Sequence, residues 1–189
     1  MNVHSTAQMD KSAFLAWAQG REGRYELVEN RVVMMVGVSL AHGLIVGNLY
    51  TALRTQLSRA QWMVLTDFGV DIGPQTLRYP DVMVAKASKS YKDFTAAEPV
   101  LIAEVLSPSS VTVDLGDKVT EYLRLPSLAA YVVFAQDEPR AWARVRVHGN
   151  FPAPPTVLSG RDSALTVPAL GLNIKMSDVY EGIEDKAQQ

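Results

Sequence analysis

Two carboxylates interrupt apolar stretches of the sequence. Asp81 leads into the run Val82-Met83-Val84, and Glu104 lies within the apolar run 100–106. Short runs of Val, Ile, Leu and Met are typical of strands buried on both faces, where an ionised carboxylate is costly unless a positive charge meets it. A divalent cation between the two carboxylates would compensate both charges.

The spacing of this pair allows the two side chains to meet. The 23 positions from Asp81 to Glu104 accommodate a strand, a loop and a second, adjacent strand. Mg2+ takes oxygen ligands, typically one or two carboxylates together with waters and phosphate oxygens of a substrate. We therefore expect Asp81, Glu104 and the backbone carbonyl of Val105 to hold Mg2+ or Mn2+. In the alternative interpretation, Asp81 only ends a strand and Glu104 pairs with a nearby arginine.

A lysine is predicted to face the same carboxylates. Lys118 lies in a helix expected over residues 113–125, on the face that carries Leu115 and Val119. There it would position an attacking water and help to deprotonate it, or stabilise the charge that develops on a phosphate. Two alternatives stay open: a pair with Asp114 four residues earlier, and a side chain that extends outward to solvent.

Two groups of basic residues could contact a phosphate backbone, although such groups more often form solvated faces. They are Lys86, Lys89 and Lys92, with Tyr91 among them, and Arg140, Arg144 and Arg146. The sequence has no phosphate-binding P-loop, no dinucleotide fingerprint and no glycine-flanked serine elbow. The carboxylate pair therefore remains the strongest chemical signal.

The rest of the pattern predicts the elements that must position these side chains. Helical periodicity and capping predict helices over residues 10–19, 39–57, 113–125 and 177–183. Strands are expected over 24–28 and 31–36, joined by a tight turn at Glu29-Asn30, and over 62–66, 68–72, 79–84, 100–106, 129–136, 141–148, 164–167 and 172–175. We expect an α/β fold with a mixed β-sheet flanked by helices, in one domain over residues 10–183, with a flexible leader at 1–9 and a tail at 184–189.

The overall composition limits which kinds of fold and function this chain can have. The 189 residues are 48% hydrophobic and 20% charged, which is typical of an ordinary globular domain. Cysteine is absent, which excludes disulfides, thiolate metal sites and cysteine nucleophiles. The net charge of -2 gives no global attraction for nucleic acid, so any such role requires a local basic face. Because no secretory signal or membrane-spanning run is present, we expect a soluble, cytoplasmic protein.

An ordered set of short motifs resembles a known family. Pro80-Asp81 and Glu104-Val105-Leu106 resemble the PD-(D/E)XK nuclease superfamily, and the whole set, over about residues 10–183, resembles the Uma family of restriction-endonuclease-like proteins. The set comprises Tyr25-Glu26-Leu27-Val28, Ala41-His42, Gly47-Asn48-Leu49, Tyr79-Pro80-Asp81-Val82, Glu104-Val105-Leu106-Ser107-Pro108-Ser109-Ser110 and Asp114-Leu115-Gly116-Asp117-Lys118. The resemblance implies a restriction-endonuclease-like fold.

The resemblance also implies an activity and further site residues. It implies Mg2+-dependent hydrolysis of nucleic-acid phosphodiesters, with DNA as the partner and a homodimer as the assembly. It adds Glu26 and His42 to the site, whereas the residues alone favour a surface carboxylate for Glu26 and a satisfied core histidine for His42. Alternative functions are a non-catalytic nucleic-acid or protein-binding module that retains the fold, and a hydrolase of another phosphoester.

Two departures from the family pattern bear on the site. Leu106 stands where the superfamily has a lysine, so Lys118 is expected to carry the role of that lysine. The usual Tyr-Trp-Leu-Val-Asp strand reads Tyr131-Val132-Val133-Phe134-Ala135 here, without the tryptophan and the acid. The second departure leaves the expected metal ligands intact.

Overall fold

The computed structural model describes residues 8–35, 37–88, 90–96, 98–107 and 110–184. Its α-helices are α1 (Lys11–Ala18), α2 (Leu40–Gln56), α3 (Lys118–Tyr122) and α4 (Met176–Val179), with a π-helical turn at Val113–Asp117 directly before α3. The strands are β1 (Arg24–Val28), β2 (Arg31–Met35), β3 (Trp62–Leu65), β4 (Gly69–Gly73), β5 (Thr76–Arg78), β6 (Val82–Lys86), β7 (Thr95–Ala96), β8 (Pro99–Val105), β9 (Ala130–Phe134), β10 (Arg140–Val145), β11 (Thr156–Ser159), β12 (Ala164–Val167) and β13 (Leu172–Lys175). Lys89, residues 1–7 of the expected leader, Val36, Pro108, Ser109 and residues 185–189 of the expected tail lie outside the described residues.

The strands form a six-stranded sheet, a five-stranded sheet and a hairpin within the described part of the chain. The first has the order β11-β10-β9-β8-β6-β3, with β8 and β9 parallel and the other neighbours antiparallel. The second has the order β2-β1-β5-β4-β7, and β12 pairs with β13. The predicted α/β class with mixed pairing is confirmed. Strands β3 and β4, which follow each other along the chain, pair in different sheets.

The first hairpin forms as predicted because its turn can adopt the left-handed region twice. Glu29 and Asn30 have φ values of 49° and 64°, as a two-residue type I′ turn requires. The turn fixes the register of β1 against β2, from Arg24 opposite Met35 to Val28 opposite Arg31. The hairpin thereby carries Glu26 of β1 into a buried position.

Helix α2 starts at its predicted cap and places a histidine inside. The Ser39 hydroxyl accepts the His42 N–H at 3.1 Å, which satisfies one of the free donors of the first turn. The buried residues of α2 are His42, Ile45, Leu49 and Leu53, whose spacing of three and four defines a single face. This face packs into the main core together with strands of the six-stranded sheet. None of the helices in the described residues is long and apolar enough to cross a membrane.

Two of the predicted helices are wrong in part. The helix expected over 113–125 is a π-helical turn followed by a short α-helix, in which the Lys118 N–H bonds to the Val113 carbonyl five residues earlier. The terminal helix begins at Met176 and ends at Val179, so Ser177 lies inside it and does not cap it. The first error arises because local periodicity carries no information on the Tyr131 hydroxyl of β9, which donates to the Asp114 carbonyl.

Candidate active site

Strand pairing brings the two predicted carboxylates together. In the antiparallel pair of β6 and β8, Val82 lies opposite Ala103, so Asp81 and Glu104 are neighbours across the pair. The Asp81 N–H donates to Glu104 Oε2 at 3.4 Å. The two residues are only 8% and 2% exposed, so both carboxyl groups need partners inside the protein.

Val105 contributes a donor to this pair. Its backbone N–H donates to Asp81 Oδ2 at 2.8 Å. The expected role of Val105 was that of its carbonyl, as a metal ligand, and the described contacts do not test that role. The N–H contact orients the Asp81 carboxylate toward β8.

Lys118 points into the carboxylates and not into solvent. Its Nζ lies 2.9 Å from Glu104 Oε1, 3.0 Å from Asp114 Oδ1 and 4.0 Å from Glu26 Oε1. The residue is 6% exposed, so the outward-extending alternative is wrong. The i,i+4 pair with Asp114 and the contact with Glu104 occur together. The positive partner of Glu104 is therefore this lysine and not a nearby arginine.

Two residues that sequence reasoning did not assign to the site complete the surroundings of Glu104. The Tyr122 hydroxyl donates to Glu104 Oε1 at 3.1 Å, so this oxygen accepts from both Tyr122 and Lys118. Asp114 forms an ion pair with Lys118, with 3.0 Å between its Oδ1 and Lys118 Nζ. The signal was the spacing of four from Asp114 to Lys118 and from Lys118 to Tyr122, which places all three on one side of the helix.

Glu26 is buried, so the expectation of a surface carboxylate is wrong. Glu26 accepts from Arg78 Nη1 at 3.0 Å and from the Tyr79 N–H at 3.1 Å. Arg78 also donates to both oxygens of Glu121, at 2.7 and 2.8 Å. Arg78 therefore ties β5 to β1 and to α3. Sequence reasoning missed Arg78 because it did not predict β5, whose three residues give no periodic signal.

His42 faces the site rather than the apolar core alone. Its Nε2 lies 3.2 Å from Asp81 Oδ1. Its Nδ1 is buried and has no hydrogen-bond partner among the described residues. The structure thus brings both residues that the resemblance added, Glu26 and His42, to the surroundings of the carboxylate pair.

The cluster holds more negative than permanent positive charge. Five carboxylates, those of Glu26, Asp81, Glu104, Asp114 and Glu121, surround the cations Arg78 and Lys118. Burial raises the pKa of Glu104 to about 8, with Lys118 opposing and the neighbouring carboxylates adding to the rise. Burial also acts to raise the pKa of Asp81, but the contacts with His42 and the Val105 N–H bring it below its ordinary value. Burial acts to lower the pKa of Lys118, but Glu104, Glu26 and Asp114 raise it.

This donor set fits a hard divalent cation. Asp81 and Glu104 supply adjacent carboxylates, and the cluster has an excess of negative charge that a divalent cation would offset. Among the described residues, no group of three or more histidine, aspartate or glutamate side chains has the arrangement of a complete metal cage. Mg2+ does not need such a cage, because it commonly binds through one or two carboxylates plus water and substrate oxygens.

Three of the predicted basic residues, Lys86, Arg140 and Arg146, contact groups outside this site. Lys86 lies at the far end of β6 from Asp81 and pairs with Glu98 at 2.6 Å, and Lys92 is exposed. Arg140 pairs with Glu138 at 3.1 Å. Arg146 donates to the carbonyls of Leu128, Gly149 and Leu125 at 2.8 to 3.1 Å, which is a structural role. Arg144 of β10 lies opposite Tyr131 of β9, whose hydroxyl donates to the Asp114 carbonyl beside the site.

The chain is similar to known proteins both in sequence and in fold. The model of the Uma2 family, described as "Putative restriction endonuclease", matches residues 12–177. Two uncharacterized proteins of Synechocystis sp. (strain ATCC 27184 / PCC 6803 / Kazusa) are similar: sll1609 is 26% identical over 141 residues (72% of this chain and 80% of that protein), and slr1290 is 24% identical over 183 residues (93% of each). A crystal structure from Anabaena variabilis ATCC 29413, titled as a putative nuclease belonging to DUF820, shares the fold with a TM-score of 0.73 at 15% identity, covering 91% of this chain and 97% of that one. Because the family model spans most of the sequence, the chain belongs to the Uma2 family.

Proposed function

We propose that this chain is a divalent-cation-dependent nuclease that hydrolyses phosphodiester bonds of nucleic acid, with DNA as the substrate. The observation that carries the proposal is the arrangement of Asp81 beside Glu104 with Lys118 Nζ 2.9 Å from the Glu104 carboxylate. Membership of a family described as "Putative restriction endonuclease" supports the same reaction class.

Asp81 and Glu104 would hold the cation, which is Mg2+ or Mn2+ in this proposal. Glu104 Oε1 is engaged by Lys118 and Tyr122, whereas Oε2 lies on the side of Asp81. When bound, a divalent cation supplies charge neutralisation at the phosphate and a lowered pKa for water. The carbonyl of Val105, next to Glu104, remains the third oxygen that we expect to contribute.

Lys118 acts as a cation and hydrogen-bond donor. Two carboxylate oxygens within 3.0 Å of Nζ, from Glu104 and Asp114, favour the ammonium form. An ammonium donates protons in hydrogen bonds and accepts none. Of the two roles expected from the sequence, stabilisation of the phosphate charge therefore fits Lys118 better than removal of a proton from water.

A cleavage assay tests the proposal. The purified chain is incubated with single- and double-stranded DNA and RNA in Mg2+, in Mn2+ and in EDTA. We expect cleavage of DNA that requires the divalent cation. Cleavage that is equal in EDTA would contradict the role of the carboxylate pair.

The same assay separates the proposal from the alternatives. Binding to nucleic acid that weakens steeply with salt, with no cleavage in any cation, would favour a non-catalytic binding module. Neither binding nor cleavage of any nucleic acid would reject the nuclease assignment. The homodimer implied by the family resemblance is tested by sedimentation equilibrium of the same sample, which we expect to show twice the mass of the chain.

A further inference from the structure

A small open cavity of about 90 Å3 adjoins the carboxylate cluster. It is lined by Arg24, Val38, His42, Gly43, Val46, Asp67 and Asp81. Asp81 and His42 belong to the candidate site, so the cavity gives access to it from outside. The proposed reaction assigns no role to Arg24 or Asp67.

Strand β1 aims Arg24 toward the same site as Glu26. Side chains two residues apart in a strand point to the same face, so Arg24 and Glu26 share one side of β1. Glu26 lies 4.0 Å from Lys118 Nζ at the centre of the cluster. Arg24 is therefore placed at the outer margin of the site, two residues along β1 from the buried Glu26.

Asp67 holds the Arg24 guanidinium at this margin. Arg24 Nη2 forms an ion pair with Asp67 Oδ1. Asp67 lies in the turn between β3 and β4 with a φ of 50°, and its N–H donates to the Pro80 carbonyl at 3.2 Å, directly before Asp81. The turn that orients Arg24 is thus attached to the chain that carries a proposed metal ligand.

The charges around the cavity give Arg24 a distinct function. An anionic substrate that approaches five carboxylates needs an accessible cation, but Arg78 and Lys118 are buried and engaged by carboxylates. Among the described residues that line the cavity, Arg24 alone carries a permanent positive charge. Its side chain is 38% exposed and that of Asp67 is 52% exposed, so a ligand can reach the guanidinium.

We infer that Arg24 binds a backbone phosphate of the nucleic-acid substrate at the entrance to the site, with Asp67 holding its guanidinium in place. The guanidinium has five N–H donors in a planar fork that matches two phosphate oxygens. The ion pair with Asp67 uses only some of these donors, so others remain for a phosphate. This inference rests on the proposed nuclease function. It adds a contact that positions the substrate.

Binding to a labelled DNA duplex tests the inference without requiring cleavage. Fluorescence anisotropy of the full-length chain is measured in Ca2+ over a series of salt concentrations, for the wild type, Arg24→Gln, Arg24→Lys and Arg31→Gln. Arg31, in β2 of the same hairpin, is the matched control because its replacement removes the same charge at the opposite end of the strand pair. The thermal midpoint of each variant is measured in parallel.

We expect Arg24→Gln to weaken binding by about tenfold or more and to reduce the slope of log K against log salt by about 1. Arg24→Lys retains the charge but not the fork, so it keeps the salt slope and loses part of the affinity. Arg31→Gln binds like the wild type. The thermal midpoint of Arg24→Gln stays close to that of the wild type, because an exposed ion pair contributes little to stability.

Two outcomes would overturn the inference about Arg24 and leave the proposed nuclease function standing. One is wild-type affinity and salt slope in Arg24→Gln. The other is an equal loss in Arg24→Gln and Arg31→Gln, which would show an effect of overall charge only. A wild-type chain that neither binds nor cleaves nucleic acid would instead reject the proposed function, and this inference with it.

Discussion

Glu104 uses its two carboxylate oxygens for different partners. Oε1 accepts from Lys118 and Tyr122 at 2.9 and 3.1 Å, and Oε2 receives the longer contact from the Asp81 N–H at 3.4 Å. The lysine and the tyrosine therefore fix the side chain from the interior, while Oε2 lies toward Asp81. This division of partners is what a carboxylate needs if it is to be held rigidly and still offer one oxygen to a cation.

Replacement of Lys118 is expected to destabilise the fold strongly. Lys118→Met leaves the buried carboxylates of Glu104 and Asp114 without their shared cation, which we expect to lower the free energy of unfolding by about 3 to 5 kcal/mol. Urea denaturation measures the change. The control is Lys11→Met, which breaks the exposed pair with Asp71 and should cost less than about 1 kcal/mol. Similar losses in the two variants would contradict the account of Lys118.

The pKa of Glu104 predicts how stability depends on pH in the absence of added cation. Burial raises this pKa from 4.5 to about 8, so the folded chain binds the proton more tightly than the unfolded chain does. The contribution of this protonation to stability is therefore complete below the unfolded pKa and is lost as pH rises toward the folded pKa. We expect the stability of the wild type relative to Glu104→Gln, measured in EDTA, to fall between about pH 5 and pH 8. A difference that rises or stays constant over this range would be inconsistent with the raised pKa.

At the scale of elements, the π-helical turn before α3 explains how Asp114 and Lys118 share the site. Because the Lys118 N–H bonds to Val113 and not to Asp114, the Asp114 carbonyl needs another donor. The buried Tyr131 hydroxyl of β9 supplies it at 2.8 Å. Single π-helical turns occur frequently at functional sites, and this one ties the helix to the sheet beside the carboxylates.

Removal of this hydroxyl is expected to affect both stability and cleavage. Tyr131→Phe leaves the Asp114 carbonyl without its donor, which should cost about 1 to 3 kcal/mol in urea denaturation and reduce cleavage by shifting Lys118. Tyr180→Phe is a matched control, because the Tyr180 hydroxyl also donates to buried backbone, the Ala135 carbonyl at 2.6 Å, but on the C-terminal side of the core. We expect Tyr180→Phe to lower stability without lowering the cleavage rate of the folded protein. An equal loss of cleavage in both variants would argue against the specific role of the π-helical turn.

The elements that were predicted correctly from the sequence are those whose signal lies in a few consecutive residues. The β1–β2 turn at Glu29-Asn30, the Ser39 cap of α2 and the apolar run of β8 each depend on neighbouring residues. Strands β5, β7 and β11 were not predicted, since their two to four residues give little periodic signal. The π-helical turn was missed because Tyr131 stabilises it from another element.

The same distinction holds for the candidate site. Asp81, Glu104 and Lys118 could be predicted because charged side chains stand out in apolar patterns. Arg78 and Glu121 could not, because their pairing joins β5 to α3 across 43 positions of sequence. Charged residues of the site that interrupt apolar runs can therefore be predicted from the sequence. Residues that join the site only through pairing between distant elements cannot.

At the scale of the whole molecule, the candidate site lies where separate elements converge. The five-stranded sheet supplies Glu26 and Arg78, the strand pair β6–β8 of the six-stranded sheet supplies Glu104 with Asp81 beside it, and helices α2 and α3 supply His42 and Lys118. Lys118 contacts both Glu26 of the five-stranded sheet and Glu104 of the six-stranded sheet, so the site exists only where the two sheets come together. This arrangement predicts that the proposed activity requires the intact domain.

The rate of cation-dependent DNA cleavage by matched variants tests the assignment of Asp81 and Lys118 to the active site. Asp81→Ala and Lys118→Ala remove members of the candidate site, whereas Asp71→Ala and Lys11→Ala remove the same residue types from an exposed ion pair. With rates in Mg2+ normalised to the folded fraction, we predict that each site variant loses about a hundredfold or more and that each control retains the wild-type rate. Cleavage that persists at the wild-type rate in Asp81→Ala and Lys118→Ala would contradict the assignment of the active site.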